Sequence, residues 1–265
     1  MNYKTIWISD LHLGTRGCDA QGVLEFLRRT DCETLYLVGD VVDLWSLKRE
    51  FYWPLMHNDV IQRILHKARS GTRVIYIPGN HDEFGRNFLG AYGEVWVKQR
   101  DLYVTGRGER LLIMHGHEFD AVTQHAQWLA TLGDIGYQTL LRLNRPLNLL
   151  RRAFGRDHWS LSAYVKSRVK NAVSFISQFE DAVVRYAEMY DVDGIVCGHI
   201  HTPVVKQIRD VRYYNCGDWV ESSTALVERH TGRLELVRWR QVEAARNHPA
   251  AGGRAGRRLI KVSHP

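Results

Sequence analysis

The chain has 265 residues, of which 45% are hydrophobic, 25% charged and 11% aromatic. This composition predicts one large globular domain and excludes a wholly disordered chain, which would be poorer in apolar residues. The net charge of +7 and the pI of about 9.3 favour anionic partners such as phosphates, acidic lipids or nucleic acid. No apolar run reaches the roughly 18 residues of a membrane span. No secretory signal is visible either, so we expect a cytoplasmic protein.

The four cysteines are scattered, and none forms a C-x-x-C pair; they are Cys18, Cys32, Cys197 and Cys216. Clustered pairs would favour structural zinc, and an evenly spaced set would favour a disulfide framework. The sequence therefore predicts reduced thiols in a cytosolic protein.

Five apolar runs rich in β-branched residues predict strands. They are TIWI at 5–8, TLYLV at 34–38, VIYI at 74–77, LLIM at 111–114 and GIVC at 194–197. Helical patterns separate the first three, starting at Gln21 and Asn58, and the second presents apolar residues on one face, namely Val60, Ile61, Ile64 and Leu65. Alternating strands and helices are typical of a parallel sheet covered on both faces.

The chain changes character after residue 119. From Ser160, apolar residues recur every three or four positions and predict a long amphipathic helix. Beyond the GHIH motif, VRYYN, STALVE and LELVRW predict short strands of a second sheet. Residues 241–265 contain AAGGRAGRR and predict a basic, disordered tail, with a membrane or nucleic-acid contact as the alternative.

Each of the five predicted strands ends in a polar motif. The candidate ligands are Asp10 and His12 in SDLHLG, Asp40 in GD, Asn80 in GNHD, His115 in HGH, and His199 and His201 in GHIH. Each motif by itself is also compatible with a helix cap or a surface turn. Together they favour a shared site, because ligands of parallel α/β sheets gather beyond the carboxyl ends of the strands.

The donor types indicate which ions this site would take. Carboxylate, amide and imidazole donors without a thiolate suit manganese, magnesium, iron or zinc. Seven ligands favour two ions about 3.5 to 4 Å apart, an arrangement that clamps the attacking and leaving oxygens in phosphate-ester hydrolysis.

Over roughly residues 3–239, these motifs resemble the five blocks of the calcineurin-like metallophosphoesterases. The resemblance implies an α/β fold, a two-sheet sandwich flanked by helices, with a dinuclear centre in which we expect manganese ahead of magnesium, iron or zinc. It implies one ion held by Asp10, His12, Asp40 and His201, and a second held by Asp40, Asn80, His115 and His199. His81 would then lie over the phosphate, where it stabilises charge or protonates the leaving oxygen, and Asp82 would orient it.

Within that superfamily, GDVVDLW, LLIMHGHEFD, GHIHTP and NCGDWVESSTALVE look like the UDP-2,3-diacylglucosamine hydrolases of lipid A biosynthesis. This likeness implies a catalytic domain at 1–240 with a helical lid inserted at about 120–190. It implies cleavage of a lipid-linked substrate to UMP and 2,3-diacylglucosamine 1-phosphate. Contact with the cytoplasmic face of the inner membrane is expected, and a stable nucleic-acid complex is not. The candidate phosphate contacts in the insertion are Arg151, Arg152, Lys166 and Lys170.

Two departures from that group keep other substrates open. Those hydrolases usually carry Arg where this chain has His81, and a Gly-Asp-Asp segment where it has SLKREF. The first alternative is a phosphodiesterase for another phospholipid, nucleotide or nucleic acid. The second is a non-catalytic scaffold, which the intact set of ligand positions disfavours.

Overall fold

The computed structural model describes residues 1–120 and 161–247. For residues 161–172 and 246–247 it describes the backbone only. The predicted insertion is therefore described only from residue 161, and the tail only to residue 247. Among the described residues, no helix is long and apolar enough to cross a membrane.

Within the described residues, the first sheet has seven strands. Its parallel centre consists of the first three predicted strands, β1 (Asn2–Ile8), β2 (Asp31–Val38) and β3 (Arg73–Ile77). Its other strands are β4 (Gly90–Tyr92), β5 (Val95–Val97), β11 (Thr224–Glu228) and β12 (Leu234–Arg238). The strand order is β12-β11-β1-β2-β3-β5-β4.

The second sheet has five strands and contains the other two predicted runs. Its strands are β6 (Asp101–Val104), β7 (Arg110–Ile113), β8 (Gly194–Cys197), β9 (Val204–Ile208) and β10 (Val211–Asn215). The order is β6-β7-β8-β10-β9, with β7, β8 and β10 parallel.

The sequence analysis predicted that the three late strands belong to a second sheet, and this is wrong for two of them. VRYYN lies in the second sheet as β10, whereas β11 and β12 belong to the first sheet. There β11 pairs antiparallel with β1, with Ile6 opposite Val227. An apolar strand pattern indicates burial but carries no information about which edge the strand joins.

Five α-helices flank the sheets in the part of the chain that the structure describes. They are α1 (Ala20–Arg29), α2 (Leu44–Arg49), α3 (Leu55–Arg69), α4 (Leu161–Met189) and α5 (Trp239–Asn247). Helices α1, α3 and α5 cover the outer face of the first sheet, and α4 covers that of the second. The long helix predicted from Ser160 is confirmed. On α3, Val60 and Ile64 are buried as expected, whereas Leu65 is exposed.

Three apolar layers hold the sandwich together. Along β1, Ile6 and Ile8 face the helices, whereas Trp7 points between the sheets and stacks on Tyr36 at 5.7 Å. This alternation follows from the two-residue period of a strand. Both faces of the central strands are therefore buried, and polar side chains collect at the strand ends.

Helix α5 crosses the boundary that the sequence analysis placed at residue 240. Trp239 is fully buried against Phe26, and Val242 packs against the same apolar cluster. This packing extends ordered helix to Asn247. The remainder of the basic tail lies outside the described residues.

Candidate metal centre

The loops after β1 and β8 bring three predicted ligands together. His12 Nε2 and His201 Nε2 are 3.3 Å apart, and His201 Nε2 lies 3.2 Å from Asp10 Oδ1. Two nitrogens bound to one ion at about 2.1 Å each lie roughly 3.0 to 3.4 Å apart. The observed spacing therefore matches ligands arranged around a single cation.

The loops after β2, β7 and β8 form a second cluster beside the first. One donor atom each from Asp40, His115 and His199 lies within 4.8 Å of the others. Asp40 Oδ2 is 3.4 Å from His115 Nε2 and 4.0 Å from His12 Nε2 of the first cluster. Asp40 thus lies between the two clusters, as a bridging carboxylate would.

Several buried polar atoms at this site are suited to an ion. Asp10 Oδ1, Asn80 Oδ1 and His115 Nε2 have no hydrogen-bond partner of suitable geometry within the described part of the chain. His115 Nδ1 lies 2.9 Å from the Val38 carbonyl oxygen, to which it donates, so Nε2 is the nitrogen that would ligate a cation. Buried polar atoms are normally paired, and the residues present therefore fit a divalent metal pair.

The backbone is distorted where the ligands lie. Five predicted ligands have φ between 50° and 70°: Asp10, His12, Asp40, His199 and His201. Such left-handed conformations of non-glycine residues cluster at functional sites.

Glycines precede three of the ligands because the site leaves no room for a side chain. A Cβ on Gly39 would lie 2.1 Å from His115 Nδ1, and one on Gly198 would lie 2.3 Å from Asp10 Oδ2. One on Gly79 would meet Asp40 Oδ1 at 2.2 Å. The Gly-Asp, Gly-Asn and Gly-His pairs are therefore requirements of close packing around the clusters.

The charges of the site shift its pKa values strongly. Burial by itself would lower the pKa of His115, but Asp40 and Asp10 raise it to about 10. Burial likewise opposes protonation of His201, yet Asp10 raises its pKa to about 9. Burial would raise the pKa of Asp40, but the surrounding histidines hold it well below its usual range. Positive charge is thus strongly favoured between these carboxylates, and a divalent cation held by these residues would supply it.

His81 lies at the mouth of the first cluster. Its ring contacts that of Trp45 at 4.4 Å, and its Nδ1 lies 3.0 Å from Asp43 Oδ2. Burial would lower the pKa of His81, but Asp43 and Asp40 outweigh this effect and raise it. His81 therefore has the position expected of an acid near a phosphate, and the two carboxylates favour its protonated form.

Asp82 is placed differently from the role that the resemblance implies. Its carboxylate accepts backbone N–H groups from Gly79 at 2.6 Å, Val41 at 2.7 Å and Asp40 at 3.2 Å. These bonds tie the loop after β3 to the loop after β2. The carboxylate beside His81 is that of Asp43, whereas the carboxylate of Asp82 is bonded to backbone.

The sequence analysis assigned no role to two residues that support the ligands. Asp43 Oδ2 also lies 3.1 Å from His12 Nδ1, while its Oδ1 caps α2 at Ser46 N. Asn215 Nδ2 donates to the Gly198 carbonyl at 2.7 Å and so holds the GHIH loop. The second Asp of GDVVD is Asp43, and the sequence could have predicted its supporting role. A carboxylate that caps a helix has a second oxygen free for another partner.

The candidate phosphate contacts lie in the insertion, beyond the described side chains. Arg151 and Arg152 lie outside the described residues, as do the side chains of Lys166 and Lys170 on α4. The described cleft beside the clusters has a volume of about 450 Å³, and its lining includes Trp45, Lys48, Asn80, His81 and Arg86.

Comparisons with known proteins agree with this geometry. A family model described as calcineurin-like phosphoesterase matches residues 3–203. The chain belongs to the calcineurin-like phosphoesterase family. It is therefore a metal-dependent hydrolase of phosphoester or pyrophosphate bonds, with clustered His and Asp groups compatible with a dinuclear centre.

Curated relatives have one name in common. The chain is 30% identical over 237 residues to the UDP-2,3-diacylglucosamine hydrolase of Ectopseudomonas mendocina, covering 83% of this chain and 91% of the relative. It is 28% identical over 260 residues to that of Marinobacter nauticus, covering 93% and 96%.

Solved structures with related folds include two of low sequence identity. A phosphoesterase from E. coli is 16% identical, with a TM-score of 0.43 and coverage of 88% of this chain and 98% of that chain. Vps29 from Entamoeba histolytica, complexed with zinc, is 12% identical, with a TM-score of 0.40 and coverage of 88% and 96%.

Proposed function

We propose that this phosphoesterase hydrolyses the pyrophosphate of UDP-2,3-diacylglucosamine, giving UMP and 2,3-diacylglucosamine 1-phosphate. The observation that carries the proposal is the near full-length similarity to relatives of that name. The alignment with the Marinobacter protein covers 260 residues and so passes through the insertion as well as the metal motifs. The insertion is the part of the chain in which the sequence analysis placed the candidate phosphate contacts.

The metal centre proposed for this reaction uses the two clusters described above. Asp10, His12 and His201 would hold one ion, Asn80, His115 and His199 the other, and Asp40 would bridge them. Such a pair supplies positive charge to the attacking and leaving oxygens of the phosphate. We propose manganese, with magnesium, iron and zinc also compatible with these donors.

His81 is proposed as the residue that acts on the substrate directly. Asp43 holds its Nδ1 side, and the ring packs against Trp45, so Nε2 remains directed toward the clusters, 3.9 Å from Asp40 Oδ2. A protonated imidazole there donates a hydrogen bond to a phosphate oxygen or gives its proton to the leaving oxygen. Either contribution typically accelerates a reaction by roughly 10²- to 10⁴-fold.

The experiment that tests the substrate is a panel assayed with manganese. It compares UDP-2,3-diacylglucosamine with a glycerophospholipid, a cyclic nucleotide and bis-p-nitrophenyl phosphate. We expect the UDP-lipid to have the highest kcat/KM. In ¹⁸O-labelled water the label should enter UMP, because attack at the α-phosphorus leaves the oxygen of water on the nucleotide.

The position of His81 favours a second candidate. A histidine at this place, paired with a carboxylate, suits transfer of a proton to an alkoxide leaving group, which a simple phosphodiester produces. The alternative is therefore a phosphodiesterase for another phospholipid or nucleotide. Turnover of bis-p-nitrophenyl phosphate together with an inert UDP-lipid would select it and reject the pyrophosphatase.

A further inference from the structure

Two cationic side chains line the cleft beside the predicted ligands. Lys48 on α2 and Arg86 in the short 3₁₀ helix that follows β3 both belong to its lining. So do the predicted ligand Asn80 and the predicted acid His81. The acidic residue of the described lining is Glu83. Lysine and arginine thus outnumber acidic groups in this cleft, and a cleft with such a charge balance favours an anionic ligand.

The guanidinium of Arg86 is held by the loop after β7. Its Nη2 donates to Nε2 of His117 and lies 3.6 Å from Glu118 Oε1. A guanidinium cannot accept a hydrogen bond, so the imidazole of His117 must be the acceptor. The centre of the His117 ring lies 5.4 Å from that of His115, a predicted ligand. Arg86 is therefore fixed beside the second ligand cluster.

The packing of Arg86 leaves some of its donors unused. Its Nε is buried and has no hydrogen-bond partner within the described part of the chain. Its Nη1 lies 3.4 Å from Glu83 Oε1, on a side chain that is 64% exposed. Exposed ion pairs of this kind contribute little free energy. An anion that enters the cleft can therefore replace Glu83 at small cost.

Lys48 adds a second positive charge that is not neutralised locally. It has no acidic partner among the residues that the structure describes, and Glu50, two positions later, pairs with Arg16 at 2.9 Å. Lys48 belongs to SLKREF, the segment in which the chain departs from the Gly-Asp-Asp of the UDP-2,3-diacylglucosamine hydrolases. This positive charge in the cleft is therefore a feature of this chain.

We propose that Lys48 and Arg86, the second-phosphate subsite, bind the phosphate next to the one that the metal pair would hold. This inference rests on the proposed pyrophosphate substrate, because a simple phosphodiester has no second phosphate. Attack on one phosphorus breaks its bond to the bridging oxygen, whose electron pair leaves with the other phosphate. Guanidinium and ammonium groups are the side chains that proteins place against such charge.

The subsite also separates the two candidate reactions. An alkoxide leaving group needs a proton, which His81 is placed to give. A departing phosphate needs positive charge at the position it occupies, and fixed cations supply it without reorganisation. Lys48 and Arg86 therefore favour a pyrophosphate substrate over a simple phosphodiester.

Isothermal titration calorimetry of the manganese-loaded full chain tests the subsite. The two probes are UMP and α,β-methylene-UDP, which resists hydrolysis and carries one more phosphorus group. The ratio of their dissociation constants therefore reports on contacts to the second phosphate. The variants are Arg86→Gln, Lys48→Gln and the two combined. The matched control is Arg69→Gln, since Arg69 is exposed in the last turn of α3, before β3, whereas the metal loops follow the strands.

We expect the wild-type chain and Arg69→Gln to bind the analogue roughly 30-fold more tightly than UMP, because two charged contacts are added. Arg86→Gln should reduce this preference roughly tenfold, from loss of a charge-assisted hydrogen bond. Lys48→Gln should reduce it about threefold, because an exposed cation contributes less. The metal content, measured by mass spectrometry, should stay as in the wild type, since no predicted ligand is changed.

Two results would overturn the subsite. They are a wild-type chain that binds the analogue no more tightly than UMP, and a folded double variant that keeps the wild-type preference. A lower melting temperature of Arg86→Gln with an unchanged preference would make Arg86 a structural tie between two loops. If Arg86→Gln does not fold, Lys48→Gln decides the test, because its side chain is exposed on α2.

The same measurements separate the subsite from the proposed function. An inert UDP-lipid in the substrate panel, together with the expected preference for the analogue, would reject the lipid substrate and retain the subsite. Turnover of the UDP-lipid without that preference would reject the subsite and retain the substrate.

Discussion

At the scale of the residue, backbone strain is concentrated where the chemistry is expected. The described part of the chain has eight non-glycine residues at positive φ, and five of them are predicted metal ligands. Each such conformation costs about 1–3 kcal/mol, although Asp and His tolerate it better than β-branched residues do. The surrounding packing therefore holds these side chains in place against a local cost, which leaves their donor atoms preorganised.

Asp40→Ala tests the proposed bridge. Removing the carboxylate that lies between both clusters should abolish hydrolysis and lower the bound metal, measured by inductively coupled plasma mass spectrometry. Asp31→Ala is the matched control, because Asp31 is exposed at the opposite end of the same strand. Full metal content and activity in Asp40→Ala would refute the dinuclear assignment.

His81→Ala should separate catalysis from metal binding. We expect kcat for bis-p-nitrophenyl phosphate to fall roughly 10²- to 10⁴-fold, because a positioned proton donor is lost. The metal content should not change, since the ligand atoms of both clusters remain. His66→Ala, which removes an imidazole from α3 on the far side of the sheet, should leave kcat as in the wild type. A variant that loses its metals would show that His81 is a ligand instead.

At the scale of the element, the loops that follow the strands supply the predicted metal ligands and the side chains that support them. The loop after β2 supplies Asp40, and the next turn begins α2 with Asp43, whose carboxylate caps the helix and contacts His12 and His81. The loop after β3 is fixed to it through Asp82. A few backbone hydrogen bonds thus make the ends of two parallel strands behave as one rigid unit.

Gly39→Ala should disrupt the second cluster. Its Cβ would lie 2.1 Å from His115 Nδ1, and that ring is held by its hydrogen bond to Val38. We expect loss of one bound metal and of most of the activity. Gly71→Ala is a close control, since Gly71 also has positive φ, but nothing lies within 4 Å of its Cβ position. Similar metal loss in both variants would show that backbone strain, and not the clash with His115, causes the loss.

Asp19→Ala should lower the free energy of unfolding by about 1–2 kcal/mol, without loss of metal. Asp19 caps α1 at Gly22 N, and its Oδ2 accepts the Ser223 hydroxyl at 2.9 Å. One side chain therefore connects α1 to the loop before β11. Urea denaturation monitored by tryptophan fluorescence measures the change, with exposed Asp59→Ala on α3 as the control. An unchanged midpoint would mean that these two bonds add nothing to stability.

At the scale of the whole molecule, three apolar layers bury groups that would otherwise be reactive. Cys197 on β8 and Cys216, which directly follows β10, are fully buried, and Cys32 is buried beneath the helices of the first sheet. Burial raises the pKa of Cys32 and of Cys197 to about 12. The prediction of reduced thiols thus acquires a physical basis in the sandwich itself.

Alkylation by iodoacetamide measures this protection. Because the thiolate is the nucleophile, a raised pKa keeps the thiols protonated and slow at pH 8. We expect no modification of the folded chain at pH 8, four modified cysteines in urea, and rates in the folded chain that rise with pH toward about 12 for Cys18, Cys32 and Cys197. Rapid labelling of a buried cysteine at pH 8 would show that the layers open locally.

The sequence by itself determined the five strands whose ends carry the predicted ligands, and it determined the residues at those ends. An apolar run followed by a small residue and a polar donor is a local pattern, so Asp10, Asp40, Asn80, His115 and His199 could be named without a structure. The repetition of that pattern also indicated a shared site, because the ends of parallel strands meet.

Only the tertiary structure decided how the ends meet and which side chains support them. The placement of β11 and β12 in the first sheet depends on pairing with β1, which no local pattern encodes. That Asp43 lies beside His81 at 3.0 Å, while Asp82 accepts the Val41 N–H at 2.7 Å, depends on how two loops pack together. The contact between Arg86 and His117 likewise joins the loops after β3 and β7. Each of these features depends on tertiary contacts. Packing decides which of those contacts form, and no local sequence pattern specifies them.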